Sequence, residues 1–391
     1  MKGLPNRNGE VPRVTVLMCV YNGEAHLAAA IESVLAQTWR EFEFLIINDA
    51  STDGSRQVCA SYHDPRIRLI DNERNLGLTR SLNRGLALAM GTYLARLDAD
   101  DVSAPQRLER QISYFQAHPR CALLFTGFRK STGYLGIPPA DAVEQRWRML
   151  FDNPMGHSTV MFRREVILNA LGGYDESFPV AQDYALWTRA LERGLVIGAL
   201  PEVLVHLEHH ERSISSTQGL RRQGYAERLS CRAIQDLCPT LEPRMIQVLS
   251  RIWAQRGTAG EVLRRPGDLR RLRRAVKTLI AAFAARHGLS QAWQDDKALE
   301  FARRVCTDVW HSQRQGWGGG LLCEILAGLT LNFHRPPFQL RLGRHLGRHL
   351  LGKLRQRRRG HTPPQWRRVA AEVDTSSSSR TLSENPAMRV A

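Results

Sequence analysis

Residues 14–48, VTVLMCVYNGEAHLAAAIESVLAQTWREFEFLIIN, decide the fold. VTVLMCV (14–20) and FEFLIIN (42–48) are β-rich and apolar almost throughout. Between them Leu27, Ile31, Val34 and Leu35 recur at helical spacing. A strand with no polar alternation is covered on both faces, and two such strands joined through a helix read as a parallel βαβ unit. The unit repeats outward: a short strand at Ile67 to Ile70, a helix over Leu78 to Met90, a strand at Tyr93 to Leu97, a helix opening near Pro105, and a strand at Ala122 to Phe125. The expectation is an α/β protein with an open, doubly wound, mostly parallel sheet and a helical C-terminal appendage.

Ligands of such sheets bind beyond the carboxyl ends of the strands. Three polar clusters fall there: Tyr21-Asn22-Gly23, the run Asn48 to Asp53, and Asp98 to Asp101. The last is the most telling. TYLARLDADD (92–101) stops on three carboxylates in four positions, which repel one another unless a cation sits among them. A hard divalent ion, Mg²⁺ or Mn²⁺, would take carboxylate oxygens and leave positions for water and phosphate oxygens, so a metal-bound diphosphate is the first functional expectation. Asp is also a common turn and helix-cap residue, so the motif alone does not decide. No GxGxxG follows the first strand and no GxxxxGK[ST] occurs, which excludes dinucleotide and P-loop readings.

The chain has 391 residues, 43% hydrophobic, with 55 Lys and Arg against 38 Asp and Glu, a formal charge of +17. The excess gathers near the C-terminus, where RLGRHLGRHLLGKLRQRRR (341–359) contains no acid. Seven cysteines without CxxC spacing suit a reducing compartment. MKGLPNRNGEVPR lacks a signal-peptide core, and GWGGGLLCEILAGLTLNF (316–333), broken by Glu324, reads as a buried or interfacial helix rather than a span.

Taken in order, VTVLMCVYNGEAHLAAAIESVLAQTWREFEFLIINDASTDGS, NLGLTRSLNRGLALAMGTYLARLDADD and GGYDESFPVAQDYALWTRALERG resemble the family 2 inverting glycosyltransferases of GT-A fold, over roughly residues 13 to 216. The resemblance implies a nucleotide-sugar donor, UDP-sugar favoured, and a saccharide or lipid-linked acceptor in bacterial surface polysaccharide or glycolipid synthesis. Cys19, Tyr21 and Asn22 map to the segment that packs on the nucleoside, and Asp49 to the aspartate that accepts from the base. A carboxylate is acceptor-only, which suits the ring N–H of uracil or guanine. Asp53 reads as a turn or cap residue. Asn75, Gly77 and Arg80 match an NxG segment whose basic residue can approach the diphosphate. Asp98 and Asp100 match the DxD motif, Asp98 toward donor hydroxyls and Asp100 as metal ligand, with Asp101 as helper or helix cap. Asp183 maps to the general base, although Gln182 stands where relatives usually carry Glu. His210, before Ser213-Ile214-Ser215, maps to a segment whose imidazole can reach the metal, and His157 lies on the acceptor side.

The expected division is a tail (1–12), a glycosyltransferase domain (13–219), a helical appendage (220–335) and a basic, partly disordered tail (336–391). Leu342, Leu346, Leu350, Leu351 and Leu354 at helical spacing between basic residues suggest attachment to an anionic membrane surface, on the cytoplasmic side of the plasma membrane. Nucleic acid is disfavoured because no aromatics interleave with the basic residues. Two rival classes remain. DADDV also matches the DxDxV strand end of haloacid-dehalogenase-like phosphatases, which place it on their first strand, and a non-catalytic nucleotide-sugar binder would retain the donor site alone.

Overall fold

Strands β1 (Val14–Val20) and β2 (Phe42–Asn48) are buried along their whole length, because helices cover both of their faces. On one face Val14, Val16, Met18 and Val20 pack with Leu27, Ala30, Ile31 and Val34 of helix α1 (Glu24–Leu35). On the other, Leu17 and Cys19 join Leu82 and Leu86 of α3 (Leu78–Leu88) and the apolar side of α7 (Gln182–Glu192). This computed structural model describes residues 13–210, 217–254 and 268–313, all within one compact unit, Met1–Leu326. The N-terminal tail, the 213–215 segment, the Gly-rich stretch 316–333, the amphipathic stretch 342–354 and the basic tail lie outside the described residues.

The remaining elements are α2 (Ser55–Ser61), β3 (Ile67–Asp71), β4 (Tyr93–Arg96), β5 (Val102–Ser103), α4 (Arg107–Ala117), β6 (Cys121–Lys130), β7 (Leu135–Gly136), α5 (Ala142–Met149), β8 (Met161–Arg163), α6 (Arg164–Leu171) and β9 (Val196–Leu207). Among the described residues four more helices follow: α8 (Gly219–Leu237), α9 (Pro243–Trp253), α10 (Asp268–His287) and α11 (Gln291–Gln313). Among the described residues nine strands make one sheet in the order β3-β2-β1-β4-β8-β6-β9-β5, with β7 paired to β6. The chain winds outward through β1, β2 and β3 in parallel and then crosses back to lay β4 on the other side of β1. That reversal is a topological switch point, the place where open α/β sheets bind ligands.

Beyond β4 the sheet is mixed. β8 runs antiparallel to both β4 and β6, and β9 runs parallel to β6 with register shifts. β6 is also longer than its apolar core suggests, since its exposed end, Arg129 and Lys130, still pairs with His206 and Leu207. The two-residue β5 pairs antiparallel with β9, Val102 with His206 and Ser103 with Val205. This pairing draws the end of β9 back to the residues that follow β4. Entry to β4 passes through Gly91, whose amide donates to Thr15 Oγ1 at 2.8 Å. A Cβ there would lie 2.3 Å from the Thr15 backbone nitrogen, so the turn closes on β1 only with glycine.

Candidate active site

The ends of β1 and β2 are tied together before they meet any ligand. Asn22, at φ 53°, accepts through Oδ1 from the Thr52 amide at 2.8 Å, and its own amide donates to Ser51 Oγ at 3.1 Å. Asp53 accepts from the Glu24 amide at 3.1 Å and from the Ser55 amide at 3.0 Å, while Glu24 accepts from the Gly54 amide at 2.9 Å. These bonds satisfy the first turns of α1 and α2, whose own N-cap residues make no side-chain cap bond. Asn22's oxygen is thus committed to the brace although the residue is exposed, and the Tyr21 ring beside it is 51% exposed. Cys19 turns into the apolar layer, where burial pushes its thiol far up.

Asp49 is buried and organises the loop that precedes α3. Its Oδ1 accepts from Asn72 Nδ2 at 2.6 Å and the Leu76 amide at 2.8 Å, and its Oδ2 from the Gly77 amide at 2.9 Å. A carboxylate offers about four acceptor positions, so one remains on Oδ2. Gly77, at φ 83°, is the N-cap of α3. Arg80, in the first turn of that helix, pairs with Glu176 at 3.1 Å, both side chains largely exposed.

At the end of β4, Asp98, Asp100 and Asp101 each bring one oxygen to within 4.8 Å of the others. Their environments differ. Asp98 Oδ1 accepts from the guanidinium of Arg96, and its Oδ2 from Ser158 Oγ at 3.0 Å. Ser158 Oγ also lies against one oxygen of Asp101, sharing its single proton between the two carboxylates, and the other Asp101 oxygen accepts from the Glu208 amide at 3.0 Å. Asp100 Oδ2 lies 3.1 Å from His210 Nε2, and the His210 ring stacks on His26 of α1 with centroids 4.6 Å apart. Burial alone would raise the Asp98 carboxyl, but the charge and hydrogen bond of Arg96 hold it below the usual carboxylate range. Asp100 is pushed up by burial and by Asp98, and Asp101 well up by burial and both neighbours. Oxygen donors so gathered and crowded suit a small hard cation, with one imidazole alongside.

Asp183 stands in the first turn of α7 and is not its N-cap. That position belongs to Ala181, in the left-handed region at φ 59°, which makes no side-chain cap bond. Asp183 Oδ2 accepts from Asn153 Nδ2 at 2.8 Å. Burial raises its carboxyl, against the Tyr184 amide and the charges of Arg222 and Arg96, and with a further push from Asp98. His157 Nε2 lies 2.9 Å from Tyr174 Oη, and its ring meets Trp187 of α7 with centroids 6.0 Å apart. Burial and the charge of Arg96 drive His157 well below the usual imidazole range, so it is neutral, and burial keeps Tyr174 protonated.

The fold therefore brings Asp49, the Asp98–Asp101 cluster, His210 and Asp183 to the carboxyl edge of the sheet. Sequence reading missed Arg96, Ser158, Asn153 and Tyr174. Arg96 carried a signal, because a charged residue inside an apolar strand requires a buried partner. Asn153 and Ser158 carried none, since their bonds to Asp183 and Asp98 span 30 and 60 residues of chain.

The model of glycosyl transferase family 2 matches residues 15–167, from β1 through the acid cluster to α6. EpsE of Bacillus subtilis (strain 168), named as a glycosyltransferase, is 36% identical over 190 residues, 47% of this chain and 68% of EpsE. The amylovoran biosynthesis glycosyltransferase AmsE of Erwinia amylovora is 30% identical over 216 residues, 52% of this chain and 79% of AmsE. Among solved structures, S. aureus TarS 1–349 in complex with UDP-GlcNAc superposes with a TM-score of 0.52 at 18% identity, covering 78% of this chain and 93% of that one, a likeness of fold. The phosphatase reading falls on the same ground, with DADD at the end of the fourth strand of a sheet of this family. The non-catalytic reading falls with it: on its match to the family and to these relatives, the chain belongs to glycosyl transferase family 2 and is a glycosyltransferase.

Proposed function

We propose that the enzyme moves a sugar from a nucleotide-diphosphate donor, a UDP-sugar before others, to a saccharide or lipid-linked acceptor by single displacement with inversion, in surface polysaccharide or glycolipid synthesis. The observation that carries this reading is the acid cluster at the switch point together with a half-buried carboxylate in the first turn of α7, held by Asn153. Residues 13–219 would carry the chemistry and the later helices would brace it. Tyr21 and the loop held by Asp49 are the surfaces for the nucleoside, and Asp98 faces the donor hydroxyls. Asp100 and His210 would hold Mn²⁺ or Mg²⁺, which when bound neutralises charge on the departing diphosphate.

Asp183 accepts the proton of the acceptor hydroxyl as that oxygen bonds to the anomeric carbon and the nucleoside diphosphate leaves from the opposite face. A base so placed contributes about 10² to 10⁴ in rate. Asn153 holds the base in orientation, and neutral His157 and Tyr174 add no competing charge beside it. AmsE, by its name, works in amylovoran biosynthesis, which supports the polysaccharide assignment. No helix among the described residues is long and apolar enough to cross a membrane, and the basic tail is the proposed contact with the inner membrane face.

A panel of UDP-, GDP- and dTDP-sugars with Mn²⁺, scored by binding and slow hydrolysis, tests the donor. Asp183→Asn should abolish transfer with donor binding retained, and Asp100→Asn should abolish transfer together with metal-dependent donor binding. Substantial turnover by either purified variant removes the corresponding role.

A further inference from the structure

Arg96 lies directly beneath the acid cluster. It occupies the last position of β4 and is 1% exposed. Its Nη1 donates to Ser158 Oγ at 2.9 Å and its Nη2 to Asp98 Oδ1, while Ser158 Oγ also accepts from the Asp98 amide at 3.1 Å and reaches Asp101. The strand itself is pinned there. The Arg96 amide donates to the Val160 carbonyl at 3.0 Å, and buried Arg107 donates to the Arg96 carbonyl at 2.8 Å. A guanidinium keeps its charge throughout the working pH range and offers a planar fork that an ammonium lacks. If the position served packing alone, an apolar side chain would do as well, as it does at neighbouring Leu94, Ala95 and Leu97.

We propose that Arg96 is a positioning residue for sugar transfer. Through its fork it fixes Asp98 against Ser158, and its fixed charge cancels one of three carboxylates, leaving the cluster with the net charge that a divalent cation matches. The proposal rests on the reading that Asp100 and His210 would hold a metal at this cluster. It explains how three acids can stand together before any ion arrives, and why Asp98 differs from its two neighbours.

The test is a titration of purified wild-type protein, Arg96→Gln and Arg96→Lys with Mn²⁺ in the presence of UDP, with free Mn²⁺ followed by electron paramagnetic resonance. Thermal melting and turnover of the best donor of the panel are measured alongside. Removing a like charge beside the site should tighten Mn²⁺ binding in Arg96→Gln by about tenfold or more, while turnover at saturating Mn²⁺ falls by a similar factor because Asp98 loses its support. Arg96→Lys keeps the charge and loses the fork. Its Mn²⁺ affinity should stay within about threefold of wild type and its melting temperature within a few degrees, with turnover still reduced about tenfold. Unchanged or weaker Mn²⁺ binding by a folded Arg96→Gln, or wild-type turnover by either variant, overturns the role. Should Arg96→Gln fail to fold, Arg96→Lys decides by turnover at unchanged metal affinity. Failure of wild-type protein to bind Mn²⁺ overturns the metal reading itself, and is told apart because it needs no variant.

Discussion

Asp183 and Asn153 meet across 30 residues of chain, and the bond between them sets an expectation for pH. Transfer by the proposed mechanism needs Asp183 ionised. Burial raises its carboxyl, so the acid limb of kcat/KM should lie above the ordinary carboxylate range, with activity falling as pH drops through it. Asn153 donates to the ionised form and therefore favours it. Asn153→Ala should move the acid limb further up, with a loss of about tenfold near pH 6 that is largely recovered near pH 8, in a kcat/KM profile on the best donor. A uniform loss across pH would instead mean that Asn153 serves only the fold. Asp98, Asp100 and Asp183 stood out because they fall, in order, at the family's DxD and base positions; a carboxylate at a strand end or helix start is by itself an ordinary turn or cap residue. The partners that tune them were not, because a hydrogen bond from Asn153 or Ser158 exists only once distant segments have packed.

Elements were legible where burial is two-sided. β1, α1, β2 and α3 fall within a residue or two of their apolar runs, since strands covered on both faces show unbroken hydrophobicity. The mixed half was less so. β5 has two residues and no pattern of its own, and β8 has three, so their places are dictated by partners β9, β4 and β6. Glycine supplies a test at this scale. Gly91→Ala should destabilise the protein by about 1–3 kcal/mol in urea denaturation, because the neighbour it meets is backbone and cannot turn aside. Gly224, in α8 with open space around it, is the control, and Gly224→Ala should be stabilising by about 0.5–1 kcal/mol. Equal effects at the two sites would mean that the approach to Thr15 is not tight.

Across the whole molecule, one aromatic side chain ties α5 to the helices that follow it. Trp147 of α5 meets Phe151, Trp253 of α9, Phe283 of α10 and Trp293 of α11 edge-on, at centroid distances of 5.1 to 5.3 Å. Lys297 of α11 adds an ion pair to Glu144 at 2.6 Å, and Ser230 of α8 donates to the Leu150 carbonyl at 2.7 Å. Helices past residue 219 were legible as helical and Arg-rich, but their docking on α5 was not, because no local pattern names a partner. The basic tail beyond them has its own expected outcome. Removing residues 336–391 should abolish co-sedimentation with vesicles rich in anionic lipid and leave UDP binding unchanged, whereas persistent sedimentation would place membrane contact elsewhere. The clasp between β5 and β9 also bears on the order in which the enzyme is built. The strands from β1 to β4 can pair once about the first hundred residues have left the ribosome, but Asp101 waits for the Glu208 amide, 107 residues further on. Closing so long a loop is slow relative to local pairing, so the sheet should form around an unfinished centre, and the nascent chain should gain its acid cluster only after β9 has been synthesised.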